Sequence, residues 1–196
     1  MNASLAYSET KTWRVLGIAG SLRRDSHNRS LLRAAAELVP EDLQLHVYED
    51  LAQLPLFNED DEDEAFRQGP VRAFCEQVID ADALLLATPE YNHSMPGVLK
   101  NAIDWLSRPG ARNALVGKPI AAVGATAGRW GTRLAQAAVR QVLLATDSRI
   151  LNGSPLYLAN AADAFDPSGR LIDDGVRASL GKVLLELRTA IAAPLT

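Results

Sequence analysis

The chain has 196 residues, of which 47% are hydrophobic and 22% are charged, values typical of one soluble globular domain. Twenty-four acidic residues against 20 basic ones give a formal net charge of -4, which argues against a nucleic-acid-binding protein. The single cysteine, Cys75, excludes an intramolecular disulfide and favours a reducing, cytoplasmic compartment. Apolar runs are too short to cross a bilayer. Residues 1–12 are polar and are predicted to form a flexible tail.

Apolar runs of strand length recur along the chain, separated by helix-like segments. The run at 83–87 is apolar throughout, as expected of a strand buried on both faces. The last run is interrupted by Asn152-Gly153. Five strands are predicted, at 13–19, 43–48, 83–87, 119–123 and 149–158.

Helices are predicted between these strands from capping residues and from apolar positions at helical spacing. Asn28 is predicted to cap the first helix, and Pro40 to end it. Pro70 and Pro96 each begin a helix. The acidic stretch at 59–64 is predicted instead to belong to a long solvated loop. The predicted helices cover about 28–39, 70–80, 96–106, 132–146 and 173–192.

Regular alternation of strand and helix predicts an α/β fold with a parallel sheet covered on both faces. Five strands at this spacing fit the flavodoxin-like three-layer sandwich with strand order 2-1-3-4-5. Because no linker or internal repeat interrupts the pattern, residues 13–196 are predicted to form a single domain.

The loop at 20–28, after the first strand, has the composition of a phosphate site. Hydroxyl, guanidinium and amide groups crowd into one turn before a helix, whose N-terminal N–H groups attract anions. The segment lacks both the Walker ending and a Gly-x-Gly-x-x-Gly run, which disfavours ATP hydrolysis and a dinucleotide Rossmann site. A plain polar connection is the alternative. The candidate residues are Ser21, Arg23, Ser26, His27 and Asn28.

The loop at 88–97, after the third strand, mixes donors and acceptors between two prolines, Pro89 and Pro96. Its Glu90 and Asn92 are candidates for the polar edge of a planar heterocycle, partly through backbone groups, and Tyr91 for its face. The alternative is structural, with Pro96 as a helix starter and Glu90 as a surface charge.

Other chemistry has little support in the sequence. The three histidines lie in different elements and the chain has one cysteine, so no metal site is predicted. The serines lack a nucleophile-elbow setting, which disfavours acyl transfer.

Together the two loops resemble the NAD(P)H-dependent FMN reductase family, and within it the bacterial quinone and chromate reductases. The resemblance is carried by Gly20-Ser21-Leu22-Arg23 with Ser26 and Asn28, by Pro89-Glu90-Tyr91-Asn92, and by the run from Pro96-Gly97 to Trp105. A looser similarity follows at 165–171, before the last helix.

The resemblance implies non-covalent FMN. Its phosphate would be held by Ser21, Arg23, Ser26 and Asn28, and its ring bordered by residues 89–92, with Thr126 approaching the ring from a third loop. That third loop departs from the family pattern, because Arg129-Trp130 is bulkier than expected.

The activity implied is a ping-pong transfer of two electrons from NADPH or NADH to a quinone, or to chromate, azo compounds or free flavin. The cofactors supply the redox chemistry, so no catalytic acid or base is required. An electron carrier without nicotinamide activity, or a module that has lost its flavin, are the alternatives.

The resemblance also implies a homodimer or homotetramer. Apolar residues on the helices at 96–106 and 132–146 exceed what a lone domain needs. They include Trp105, Leu106, Leu134, Ala137, Ala138 and Leu143. Arg129 and Trp130 are expected near the subunit boundary. No nucleic-acid or membrane partner is predicted.

Overall fold

The computed structural model describes residues 11–193, so the predicted tail at 1–12 lies outside them except for Lys11 and Thr12. Among the helices of this part of the chain, none is long and apolar enough to span a membrane. The strands are β1 (Trp13–Ala19), β2 (Leu43–Tyr48), β3 (Ala83–Ala87), β4 (Pro119–Ala125), β5 (Arg149–Ile150) and β6 (Leu156–Leu158). The α-helices are α1 (His27–Leu38), α2 (Glu62–Arg67), α3 (Gly69–Asp80), α4 (Gly97–Leu106), α5 (Arg133–Leu144) and α6 (Asp174–Ala192).

The strands form one parallel sheet in the order β2-β1-β3-β4-β5, and β6 pairs with β4 beyond the end of β5. The register sets Val15 beside Ala83 and Leu84 beside Ile120. The predicted order 2-1-3-4-5 is confirmed, and so is the interruption of the last strand. The carboxyl ends of β1, β3 and β4 therefore meet at one edge of the sheet.

The sheet separates two hydrophobic cores. Leu84 and Leu86 of β3 point into one core, whereas Leu85 points into the other, as strand alternation requires. Helices α3, α4 and α5 cover the first core, and α1 and α6 cover the second. This arrangement confirms the predicted three-layer sandwich.

Trp105 of α4 anchors the segment between β2 and α3. It is fully buried, and its indole N–H donates to the Pro55 carbonyl at 2.9 Å. Phe57 and Phe66 meet its ring edge-on, with centroids 5.0 and 5.7 Å away. Such pairs stabilise a core beyond the area that they bury.

The predicted loop at 59–64 is wrong, because α2 begins at Glu62 after a turn of 3-10 helix at Glu59–Asp61. Phe66 fixes α2 against Trp105. Arg108 then pairs with Glu62 and, at 3.2 Å, with Glu59. Acidic residues in a first helical turn are also favoured by the helix dipole.

The start of α1 also differs from the prediction. Ser26 is the N-cap, and its hydroxyl oxygen accepts from the Arg29 N–H at 3.4 Å. Asn28, the predicted cap, lies inside the helix, where its side chain serves a tertiary contact described below. The other helices begin within a few residues of their predicted positions.

Candidate flavin site

Three loops meet at the carboxyl edge and line one cleft. They follow β1, β3 and β4, the positions where α/β sheets bind ligands. Nine of the ten predicted site residues lie on this cleft, and only Asn92 does not. The lining is Ser21, Arg23, Ser26, His27, Asn28, Pro89, Glu90, Tyr91, Ala125, Thr126 and Ala127. The structure thus brings together residues that are up to 106 positions apart in the chain.

The N-terminus of α1 gives this cleft the donors that a phosphate needs. The first N–H groups of a helix have no partner within the helix, and they carry partial positive charge. The hydroxyls of Ser21 and Ser26 are buried there, and each accepts a backbone N–H, from Arg23 and Arg29 respectively, at 3.4 Å. Each hydroxyl hydrogen therefore remains able to donate. With the exposed Arg23 guanidinium, this donor set fits the FMN phosphate.

Asn28 joins the first loop to the third. Its side chain is 2% exposed, its amide N–H donates to the Ala125 carbonyl, and its amide oxygen accepts the Ala125 N–H, both at 2.9 Å. The side chain is thus committed to the end of β4. Its backbone N–H, at the second position of α1, is the group that it can offer to a phosphate.

Glu90 joins the second loop to the start of α5. Its carboxylate accepts the N–H groups of Leu134 and Ala135 at 2.9 and 3.1 Å, and its side chain is 14% exposed. Thr132 occupies the N-cap position of α5, but its own side chain accepts no N–H group from the first turn of the helix. The Glu90 carboxylate, which comes from the second loop, therefore caps and stabilises the N-terminus of α5. It is therefore more than a surface charge: Oε2 accepts both N–H groups, and Oε1 lies 3.7 Å from Nδ1 of His93.

Gly124, near the end of β4, lets these loops approach one another. A Cβ at this position would clash with the Thr132 hydroxyl and the Thr88 carbonyl. Because both obstacles belong to packed neighbours, a side chain here would push the second loop away from the third.

The second loop ends in a two-residue hairpin turn. Tyr91 and Ser94 exchange both backbone hydrogen bonds, each at 3.0 Å. Between them Asn92 and His93 have φ of 50° and 63°, the positive angles of a type I′ turn. Asparagine tolerates this conformation better than most residues. Asn92 thus has a backbone reason to be present, and the turn leaves Tyr91 49% exposed at the cleft.

The third loop contributes small residues that sequence reasoning did not single out. Ala125 and Ala127 line the cleft on either side of Thr126. The signal for them was the run of small residues that begins at the end of β4. The backbone N–H of Thr126 donates to the Leu158 carbonyl at 3.0 Å, and this bond fixes the position of Thr126. Farther along, the Arg129 guanidinium lies 4.8 Å from the centre of the Trp130 ring, and that ring is 71% exposed.

Residues 11–193 contain no group of three or more His, Cys, Asp or Glu placed to hold a metal ion. Cys75 is buried in the first core, and burial raises the pKa of its thiol to about 12. The thiol therefore stays protonated at neutral pH and serves as a packing group.

The sequence model of the family described as NADPH-dependent FMN reductase matches residues 13–163, well over half of the chain. The chain belongs to this family. The predicted family is therefore confirmed, together with FMN and NAD(P)H as its cofactors and oxidoreductase as its class.

Named relatives agree with this family. The chain is 47% identical over 175 residues to an NAD(P)H-dependent FMN reductase of Pseudomonas aeruginosa, covering 89% of this chain and 93% of the relative. It is 42% identical over 160 residues to a 2-hydroxy-1,4-benzoquinone reductase of a Burkholderia species, covering 82% of this chain and 86% of the relative. Among solved structures, the flavoenzyme NAD(P)H:acceptor oxidoreductase FerB of Paracoccus denitrificans has a TM-score of 0.81 at 32% identity, covering 92% and 97%.

The carboxylate of Glu90 is expected to contribute measurably to the stability of the fold. Glu90→Ala should lower the free energy of unfolding by about 1–2 kcal/mol, because it leaves two N–H groups at the start of α5 uncapped. Glu90→Gln keeps an acceptor but loses the charge, so its loss should be about half as large. Urea unfolding followed by circular dichroism measures both. Glu37→Ala, on the exposed side of α1, is the control, and equal stability of all three variants would show that the cap contributes nothing.

The turn at Asn92 predicts that glycine replaces asparagine better than alanine does. Asn92→Ala should cost about 1 kcal/mol of stability, because alanine disfavours positive φ, whereas Asn92→Gly should be nearly neutral. FMN affinity should follow the same order, as measured by quenching of flavin fluorescence. If Asn92→Gly loses as much affinity as Asn92→Ala, the asparagine side chain itself contacts the ring.

Proposed function

We propose that this chain binds FMN non-covalently in the cleft and passes two electrons from NAD(P)H to quinones or similar small acceptors. The observation that carries the proposal is the cleft itself, where the loops predicted to hold the phosphate and the ring meet at one sheet edge in a chain of the FMN reductase family. When bound, FMN supplies a ring nitrogen, N5, that accepts hydride. A quinone acceptor is supported by the Burkholderia relative, which is named as a 2-hydroxy-1,4-benzoquinone reductase.

In this proposal, the residues of the chain bind the flavin and orient it. The N–H groups of α1, the hydroxyls of Ser21 and Ser26 and the Arg23 guanidinium hold the phosphate. The backbone of 89–91, positioned by the turn at Asn92, borders the ring together with Thr126, while the half-exposed Tyr91 stands at its open side. Pro89 limits the conformations of the loop, and positional precision of this kind contributes strongly to hydride transfer.

The kinetics follow from one open side of the cleft. Donor and acceptor occupy that side in turn, so a ping-pong pattern is expected. The chain contributes no obligatory acid or base, and water supplies the proton that the reduced acceptor needs. We place the protein in the cytoplasm, because NAD(P)H is its donor and its one cysteine is a buried thiol.

The test is direct. The purified protein should be yellow, and it should oxidise NADPH when 1,4-benzoquinone is added, with parallel double-reciprocal plots at several quinone concentrations. A yellow protein without turnover would indicate an electron carrier instead. Intersecting plots would show that donor and acceptor bind together.

The Arg23 guanidinium is expected to contribute to FMN affinity by binding the phosphate. A hydrogen bond from a guanidinium to a dianionic phosphate contributes roughly 1.5–3 kcal/mol, so Arg23→Ala should weaken FMN binding by about ten- to a hundred-fold. Flavin titration of the apoprotein measures the change, with Lys182→Ala on the exposed side of α6 as the control. Unchanged affinity would remove Arg23 from the phosphate site.

Fewer apolar residues are available for self-association than the sequence predicted. Trp105, Leu106 and Leu143, expected among the surplus apolar residues, are buried in the core of the single chain. Two leucines of α5 remain exposed, Leu134 at 50% near its start and Leu144 at 72% at its end. Near the start, Ala137 lies one turn after Leu134 and the exposed Trp130 precedes the helix. We propose that Trp130, Leu134 and Ala137 form the surface of a homodimer.

Light scattering should therefore give about twice the 21.1 kDa mass of one chain at micromolar concentration. Leu134→Glu should shift the mass toward that of one chain, because it places a charge in an apolar contact. Leu185→Glu, at an exposed leucine of α6, is the matched control. A single-chain mass for the unmodified protein, with activity intact, would refute the proposal.

A further inference from the structure

A second cleft of about 390 Å³ adjoins the flavin cleft, and His27 lines both. Its volume falls within the range of small-molecule sites, about 300–1,000 Å³. The imidazole of His27 stacks on Phe165, with ring centroids 5.7 Å apart and planes 21° from parallel. This aromatic pair forms a wall between the phosphate loop and the turn at 165–169.

Two guanidinium groups line the second cleft, from Arg24 in the first loop and Arg33 in α1. Within the part of the chain described, residues 11–193, neither has a carboxylate oxygen within 4.0 Å. Both positive charges are therefore available to an anionic ligand. The Ser30 hydroxyl lies near them, and a Cβ at Gly169 would sit 3.0 Å from its oxygen. The glycine keeps this hydroxyl uncovered.

The cleft also contains two carboxylates, with different roles. Asp166 accepts the Ser168 N–H and hydroxyl at 2.8 and 2.6 Å and the Arg170 N–H at 3.0 Å. These bonds lower the pKa of Asp166 and commit it to its own turn. Asp25 is exposed at the rim. The cleft thus offers cations for a phosphate, one free carboxylate for hydroxyl or amino donors, and flat rings for a base.

We propose that the second cleft binds the adenylate half of FAD, so that the chain accepts FAD as well as FMN. The inference rests on the proposed flavin site, because a flavin phosphate held by the first loop lies on the other side of His27. A flavin extended at that phosphate by adenosine phosphate enters the second cleft. Arg24 and Arg33 then bind the added phosphate, Asp25 accepts ribose hydroxyls, and the His27–Phe165 pair faces the adenine.

The test is a competition between the two flavins. FMN-loaded protein is dialysed against equal concentrations of FMN and FAD, desalted, and its bound flavins are separated by chromatography. Unmodified protein should carry both. Arg24→Gln and Arg33→Gln should each lower the bound FAD:FMN ratio by roughly ten-fold, and the control Lys182→Gln should not change it. Protein that retains only FMN, or a ratio equal in all variants, would overturn the proposal.

A second variant blocks the cleft without touching its charges. Ser30→Phe places a ring in the space for the adenylate, so it should exclude FAD and keep FMN. Circular dichroism confirms that each variant is folded. If Ser30→Phe binds both flavins as the unmodified protein does, the adenylate does not occupy this cleft.

The same variants separate FAD from the dinucleotide donor, which also carries an adenylate. If the arginine variants raise the KM for NADPH while the FAD:FMN ratio stays constant, the cleft serves the donor and the proposal is wrong. The flavin ratio requires no NAD(P)H oxidation. A protein that exchanges flavins but fails to oxidise NADPH would therefore refute the proposed function alone.

Discussion

The architecture of the site depends on polar side chains that bind the backbone of neighbouring segments. Asn28 uses both ends of its amide on Ala125, and Glu90 uses its carboxylate on two N–H groups of α5. An unpaired buried amide or carboxylate would be costly. Each of these contacts is therefore satisfied only when two loops lie at the correct separation. The three loops are positioned by these two side chains, and the groups left free are the hydroxyls and N–H groups of the first loop.

The sheet makes this arrangement possible because it delivers the loops to one edge. Strands β1, β3 and β4 are adjacent and parallel, and β3 and β4 are buried along their whole length. Their apolar side chains fill two cores, so the strand register is tightly specified. The loops then need only short polar contacts to complete the cleft, since the strands have already aligned their ends.

The sequence predicted the strands, their order and most of the cleft, because long apolar runs and clustered polar loops carry strong local signals. It failed where a distant contact decides the local structure. Ser26 and Asn28 are both good capping residues, but the Asn28 side chain bonds to the distant Ala125, and Ser26 caps α1. Likewise an acidic stretch looks solvated until Phe66 is seen against Trp105. The role of Glu90 was hidden for the same reason, because its partner begins 44 residues later.

The placement of Glu90 has a thermodynamic consequence for the whole molecule. The helix whose exposed face carries Leu134 begins on a carboxylate that belongs to the loop bordering the cleft. Any ligand that restrains this loop also restrains the first turn of α5, and any contact that restrains α5 restrains the loop. Coupling free energies between two binding sites are reciprocal. Occupation of the cleft and burial of the α5 surface should therefore alter each other's equilibrium by the same factor, without a change of fold.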